Sequence, residues 1–120
     1  MPPPAIAGAA PVRFSDAAAD ALIAALDALA SALDAAVRAD HQVVPAATVD
    51  WAGATRTWFD RAHADALETA RRAASHAHRA AAEVRAAKVA ATALQHDRNA
   101  EALRTAAVDL ARLEARVRHG

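Results

Sequence analysis

Apolar residues recur along two stretches of the chain at the three-and-four spacing of a helix. Leu22, Leu26, Leu29, Leu33 and Val37 form the first stripe, an a/d pattern from which Asp16, Asp20, Asp27 and Asp34 point away. Ala21, Ala25, Ala28, Ala32 and Ala39 lie between, so the predicted helix over 16–40 carries an apolar surface wider than one neighbouring helix covers. Ser15 precedes Asp16 and supplies an N-cap followed by an acid. The second stripe runs from Phe59 and His63 through Val84 to Leu94, with alanines at 66, 70, 73, 77, 80, 87 and 91 between them. It predicts a helix over 54–95 whose small seam residues allow a close approach of helix axes, with the leucines of the first helix filling the groove.

Breaks in these patterns set the organisation. Val43, Val44 and Pro45 interrupt the first helix and predict a loop over 41–53, in which Thr48 or Asp50 caps the next helix. Gln95 to Asn99 are polar; Leu103, Leu110, Leu113 and Val117 then resume in a shifted phase, predicting a third helical segment over 100–117. Residues 1–14 hold four of the five prolines and read as a flexible lead-in to a single helical domain, 15–120. At about 1.5 Å per residue the first helix is roughly 37 Å long and the second about 63 Å. Folded back as an antiparallel hairpin, the first covers half of the second. The uncovered stripe from Ala80 to Leu94 then needs the last segment or another chain, and a four-helix bundle formed by dimerisation meets that need. The expected fold is all-α.

Composition changes the picture in one respect. Alanine supplies 41 of 120 residues, whereas Val, Ile, Leu and Phe together supply 22. Alanine is the best helix former, and the net charge of zero argues against a disordered chain. A methyl group buries little area, however, so the core is thin and a partner surface is expected. Charge is divided: residues 1–53 hold six acids and two bases, residues 54–120 eight acids and twelve bases. The two arms therefore attract each other, within a hairpin or between chains, an effect that selects orientation more than it stabilises.

Candidate chemistry is sparse. Cysteine is absent, which excludes disulfides and thiolate metal sites. His76 and His78 are about 200° apart on a helix and no His-x-x-x-His pair occurs, so neither a metal nor any other cofactor is expected. His63 sits in the apolar seam, where a satisfied core or interface histidine is the ordinary reading and a pH-sensitive interface the functional one. Trp58 and Phe59 cannot both face the seam. Arg61, Arg71, Arg72, Arg79 and Arg85 form a basic stripe, but Asp60, Asp65, Glu68 and Glu83 interleave it, which favours a solvated face over a nucleic-acid surface. No Gly-rich phosphate loop, nucleophile triad or His-Glu-x-x-His helix is present, so no enzyme is expected. The N-terminus lacks the basic and apolar regions of a signal peptide and no apolar stretch is long enough for a membrane span. The expected location is cytoplasmic, or secreted without a cleaved signal.

Trp51-Ala52-Gly53 lies between the two helices, in the string Val-Asp-Trp-Ala-Gly-Ala-Thr-Arg-Thr-Trp-Phe-Asp over 49–60. In this order of helix, Trp-x-Gly turn and long second helix, with Phe59 as the following aromatic, residues 15–95 resemble the WXG (Esx-like) family of small helical-hairpin proteins of type VII secretion, in its actinobacterial form. The resemblance implies a homodimer, or a heterodimer with a paralogous WXG-like protein, exported as a substrate or co-substrate, and assigns the turn to Trp51 and Gly53. The family's Tyr-x-x-x-Asp/Glu tag has no counterpart, because the chain has no tyrosine. Any link to a secretion ATPase would then run through a tagged partner. The other readings are a cytosolic helical adaptor or scaffold that is not exported and, behind it, a small DNA-associated helical protein.

Overall fold

The structure is a computed structural model describing residues 2–120. Two long helices account for most of it, α1 over Asp16–Ala47 and α2 over Gly53–His119. By internal contacts the chain forms two compact units, one comprising Asp20–Val84, the other Arg85–Gly120 with the segment that ends at Ala19.

In the first unit α1 and α2 pack as an antiparallel hairpin. Asp34 Oδ2 lies 3.4 Å from His78 Nε2, and His41 Nε2 lies 2.9 Å from Arg71 Nη2. Moving forward on α1 from 34 to 41 thus means moving back on α2 from 78 to 71. On α1 the inner line is Ile23, Leu26, Ala30, Leu33, Val37 and Val44; on α2 it is Phe59, His63, Leu67, Ala70, Ala74, Ala77, Ala81 and Val84, all buried or half-buried. The deepest positions are alanines: Ala30 and Ala81 expose 0% of their surface, Ala74 3% and Ala77 4%. Methyl groups at the contact bring the axes close, and Leu26 and Leu33 reach into the groove this leaves.

The seam is rotated from the one read in the sequence. Leu26, Leu33, Phe59, His63 and Val84 are on it, whereas Leu22 and Leu29 are 48% and 51% exposed and Ala66, Ala73 and Ala87 also lie outside. Because α1 is apolar around most of its circumference, helical spacing alone does not choose the centre of its buried face. Asp27 and Asp34 are half-buried beside the seam, with Asp34 Oδ2 3.4 Å from His78 Nε2, so the acidic strip borders α2 and does not point away from it.

Neither expected break in helix is present. α1 continues beyond 40 through Pro45 to Ala47. Proline removes one backbone hydrogen bond and disfavours the helix before it, but Val44 is half-buried on the same face as Val37, and packing carries the last turn through. Residues 95–99 likewise belong to α2, which joins the predicted 54–95 and 100–117 segments into one helix.

In the second unit residues 2–14, expected to be a flexible lead-in, lie against α2. Ser15 caps α1 as anticipated: its Oγ accepts from the Ala18 N–H at 3.1 Å and its carbonyl from Ala19 at 3.0 Å. Upstream, a turn at Gly8 (φ +83°) closes with the Ala9 N–H donating to the Ile6 carbonyl at 3.0 Å.

Candidate interaction surfaces

The connection between the helices is built around Thr48, which is 2% exposed. Both its N–H (3.0 Å) and its hydroxyl (2.8 Å) donate to the Val44 carbonyl, closing the end of α1. Its own carbonyl accepts from the Trp51 N–H at 2.9 Å and from the Arg56 guanidinium, which also grips Asp60 at 2.9 and 3.0 Å. Thr48 therefore ends the first helix instead of capping the second. Gly53 opens α2 at φ +75°, a conformation that disfavours any residue with a Cβ.

Over this connection the aromatic side chains stack in sequence. Trp51 meets Phe59 edge-on at 5.1 Å and 76°, and Phe59 lies parallel to His63 at 5.4 Å and 9°. The step from 59 to 63 is one helical turn, which places both rings on one face. Trp51 is still 45% exposed, and Trp58, turned off that face, is 71% exposed.

A second site was not visible in the sequence pattern. Gln95, 3% exposed, accepts from the Val12 N–H at 2.7 Å through Oε1 and donates to the Ala10 carbonyl at 3.4 Å through Nε2. One turn on, Asn99 accepts from the Ile6 N–H at 3.2 Å and donates to the Pro4 carbonyl at 3.0 Å, and Arg98 donates to the Pro11 carbonyl at 3.1 Å. Gln95 and Asn99 are themselves joined at 3.1 Å. These polar residues, which looked like a helix break, satisfy the peptide groups of an extended segment that has no sheet or helix partners of its own. Their spacing of four on a helix is the signal that pointed to one face; the partner segment, made of Pro and Ala, gave no sign of its position.

The broadest feature is the outer face of α1. Ala21, Leu22, Ala25, Leu29, Ala32 and Ala36 are exposed with no charged residue among them; Asp40, one turn beyond Ala36, ends the uncharged band before Val43. α2 differs: its outer face between 60 and 83 carries Asp60, Arg61, Asp65, Glu68, Arg72, Arg79 and Glu83. A helix apolar on both sides is ordinarily an inner helix, and one with a charged outer face a peripheral one. Leu94, placed at an interface by its spacing, is 44% exposed.

Among the described residues no three His, Asp or Glu side chains are grouped to hold a metal ion, and no helix is long and apolar enough to cross a membrane. No protein-family model, characterised protein or solved structure matches this chain.

Proposed function

We propose that the chain is a non-enzymatic interaction protein that works as a helical dimer, its hairpin completed to a four-helix bundle by a second hairpin laid on the outer face of α1. The uncharged exposed band from Ala21 to Ala36 carries this reading. Burying Leu22 and Leu29 would contribute about 1.5–3 kcal/mol for each side chain fully withdrawn from water, more than an alanine methyl of the hairpin seam obtains. The stacked Trp51, Phe59 and His63 would close one end of such a bundle.

On this reading the resemblance to WXG proteins extends to role: a type VII secretion substrate or co-substrate, paired with itself or with a paralogous chain. The absence of tyrosine favours a co-substrate carried by a tagged partner, or an adaptor that stays in the cytosol. Sedimentation equilibrium of the purified chain, with and without Leu22→Gln and Leu29→Gln, tests the dimer. Association that weakens in the double variant, with helicity retained, supports it; association unchanged by the double variant, in a chain that binds no second Trp-x-Gly protein, refutes it. Export is tested by comparing culture medium from cells with and without the secretion ATPase: ATPase-dependent appearance identifies a substrate, whereas retention identifies the adaptor.

A further inference from the structure

We infer that the C-terminal end of α2 is a second interaction surface, on which residues 102–119 pair antiparallel with the same residues of another copy of this chain. The surface is distinct from the outer face of α1, and the inference does not rest on the function proposed above.

Leu103, Ala106, Leu110, Leu113 and Val117 recur at steps of three and four and fill the a and d positions of about two and a half heptads. They continue the side of α2 on which Gln95 and Asn99 meet the N-terminal segment, and among the described residues the large ones stay open: Leu103 is 62% exposed, Leu110 57%, Leu113 54% and Val117 77%. The same heptad frame, carried upstream, reaches Asn99 and His96. Asn99 is already engaged with Ile6 and Pro4, so the apolar seam is bounded at its N-terminal end by the segment 2–14, which straps α2.

Charge selects the occupant and its direction. In this frame Asp109 and Arg116 take g positions and Glu114 an e position, beside the seam. A parallel pair of copies would set Asp109 against the partner's Glu114 twice, a like-charge arrangement. An antiparallel pair, with Leu110 facing the partner's Leu113, sets Asp109 against the partner's Arg116 twice. The same register brings Ala106 opposite the partner's Val117, a small residue against a larger one, which suits close packing. The surface is thus complementary to itself in one direction and repulsive in the other, as an isologous two-fold contact requires.

The chain has no cysteine, so Arg104→Cys and Arg118→Cys each give one nitroxide attachment point in the full-length protein, at exposed positions outside the seam. In the antiparallel pair residue 104 lies nearly level with the partner's 118, whereas 104 and the partner's 104 are offset by about 22 Å along the axis. Pulsed electron resonance on a mixture of the two labelled proteins is expected to show a shorter distance than either protein alone. Shortest distances in the singly labelled samples would mean a parallel pair, and no shared distance would mean that another molecule covers the seam; either overturns the inference. Asp109→Arg gives an independent reading of sign: it weakens association at this end severalfold if the pair is antiparallel and tightens it if parallel, and adding Arg116→Asp restores the antiparallel form. The distance is expected to persist with Leu22→Gln and Leu29→Gln in place, so loss of the α1 dimer and loss of this pairing are read separately.

Discussion

Gln95 holds the backbone N–H of Val12 at 2.7 Å across more than eighty residues of sequence, from a position that is almost wholly buried. Its carboxamide is matched by a peptide group in both directions, N–H in and C=O out. Gln95→Leu keeps the helix propensity and volume but orphans both groups, which should cost about 1–3 kcal/mol. Hydrogen exchange at the Val12 and Ile6 amides is expected to rise at least about fivefold, with amides of residues 60–80 unaffected. Unchanged protection at Val12 would show that the strap is held by something else.

Gly53 is a conformational requirement and not a steric one. A Cβ added there meets no atom within 4 Å, yet φ is +75°. Gly53→Ala should therefore lose about 1–2 kcal/mol, and Gly53→Asn less, because Asn tolerates this region. Thermal melts ranked Gly, Asn, Ala test it; equal stability of Gly and Ala would remove the left-handed turn from the account.

How much of this was legible beforehand depended on whether one residue's neighbours decided its place. The helices were, because spacing and alanine content act locally. So was the Ser15 cap, whose Oγ accepts from the Ala18 N–H; Leu26, Leu33, Phe59, His63 and Val84 are half-buried along the helix pair. The centre of the α1 face was not, since Leu22 and Leu29 have the same spacing as Ile23 and Ala30; contact with α2, distant in sequence, decides between them. Pro45 and Gln95–Asn99 misled for a related reason. Both are helix-breaking or neutral by local rules, and both are held in helix by partners distant in sequence or by packing.

Thr48→Val isolates the hydroxyl at the end of α1. Valine keeps the shape but loses the 2.8 Å bond to the Val44 carbonyl, and a loss of about 1 kcal/mol is expected. Denaturant melts of Thr48→Val and Thr48→Ser separate the two contributions, since serine keeps the bond and loses the methyl. A valine variant as stable as the parent would place no weight on this bond.

The alanine seam makes an opposite prediction for enlarging and for polar changes. Ala30 and Ala81 are fully enclosed, so Ala30→Leu or Ala81→Leu should destabilise the hairpin by about 1–3 kcal/mol through overpacking. Leu29→Gln, on the exposed side of the same helix, should leave the melting of dilute protein nearly unchanged. A combined melting and mass measurement distinguishes these; equal melting losses in both would indicate that Leu29 is part of the hairpin core.

The hydrogen bonds from α2 to the strap all run to its peptide groups: the N–H of Ile6 and Val12 and the carbonyls of Pro4, Ala10 and Pro11. None of those five bonds reads a side chain. Drift should therefore be unequal on the two sides of this contact, with the exposed Pro and Ala residues of the strap freer to change than Gln95, Arg98 and Asn99. Descendants of such a chain would keep the grip and lose the likeness of what is gripped, and three polar residues on one helix would be the lasting trace of an N-terminal segment no longer recognisable by its letters.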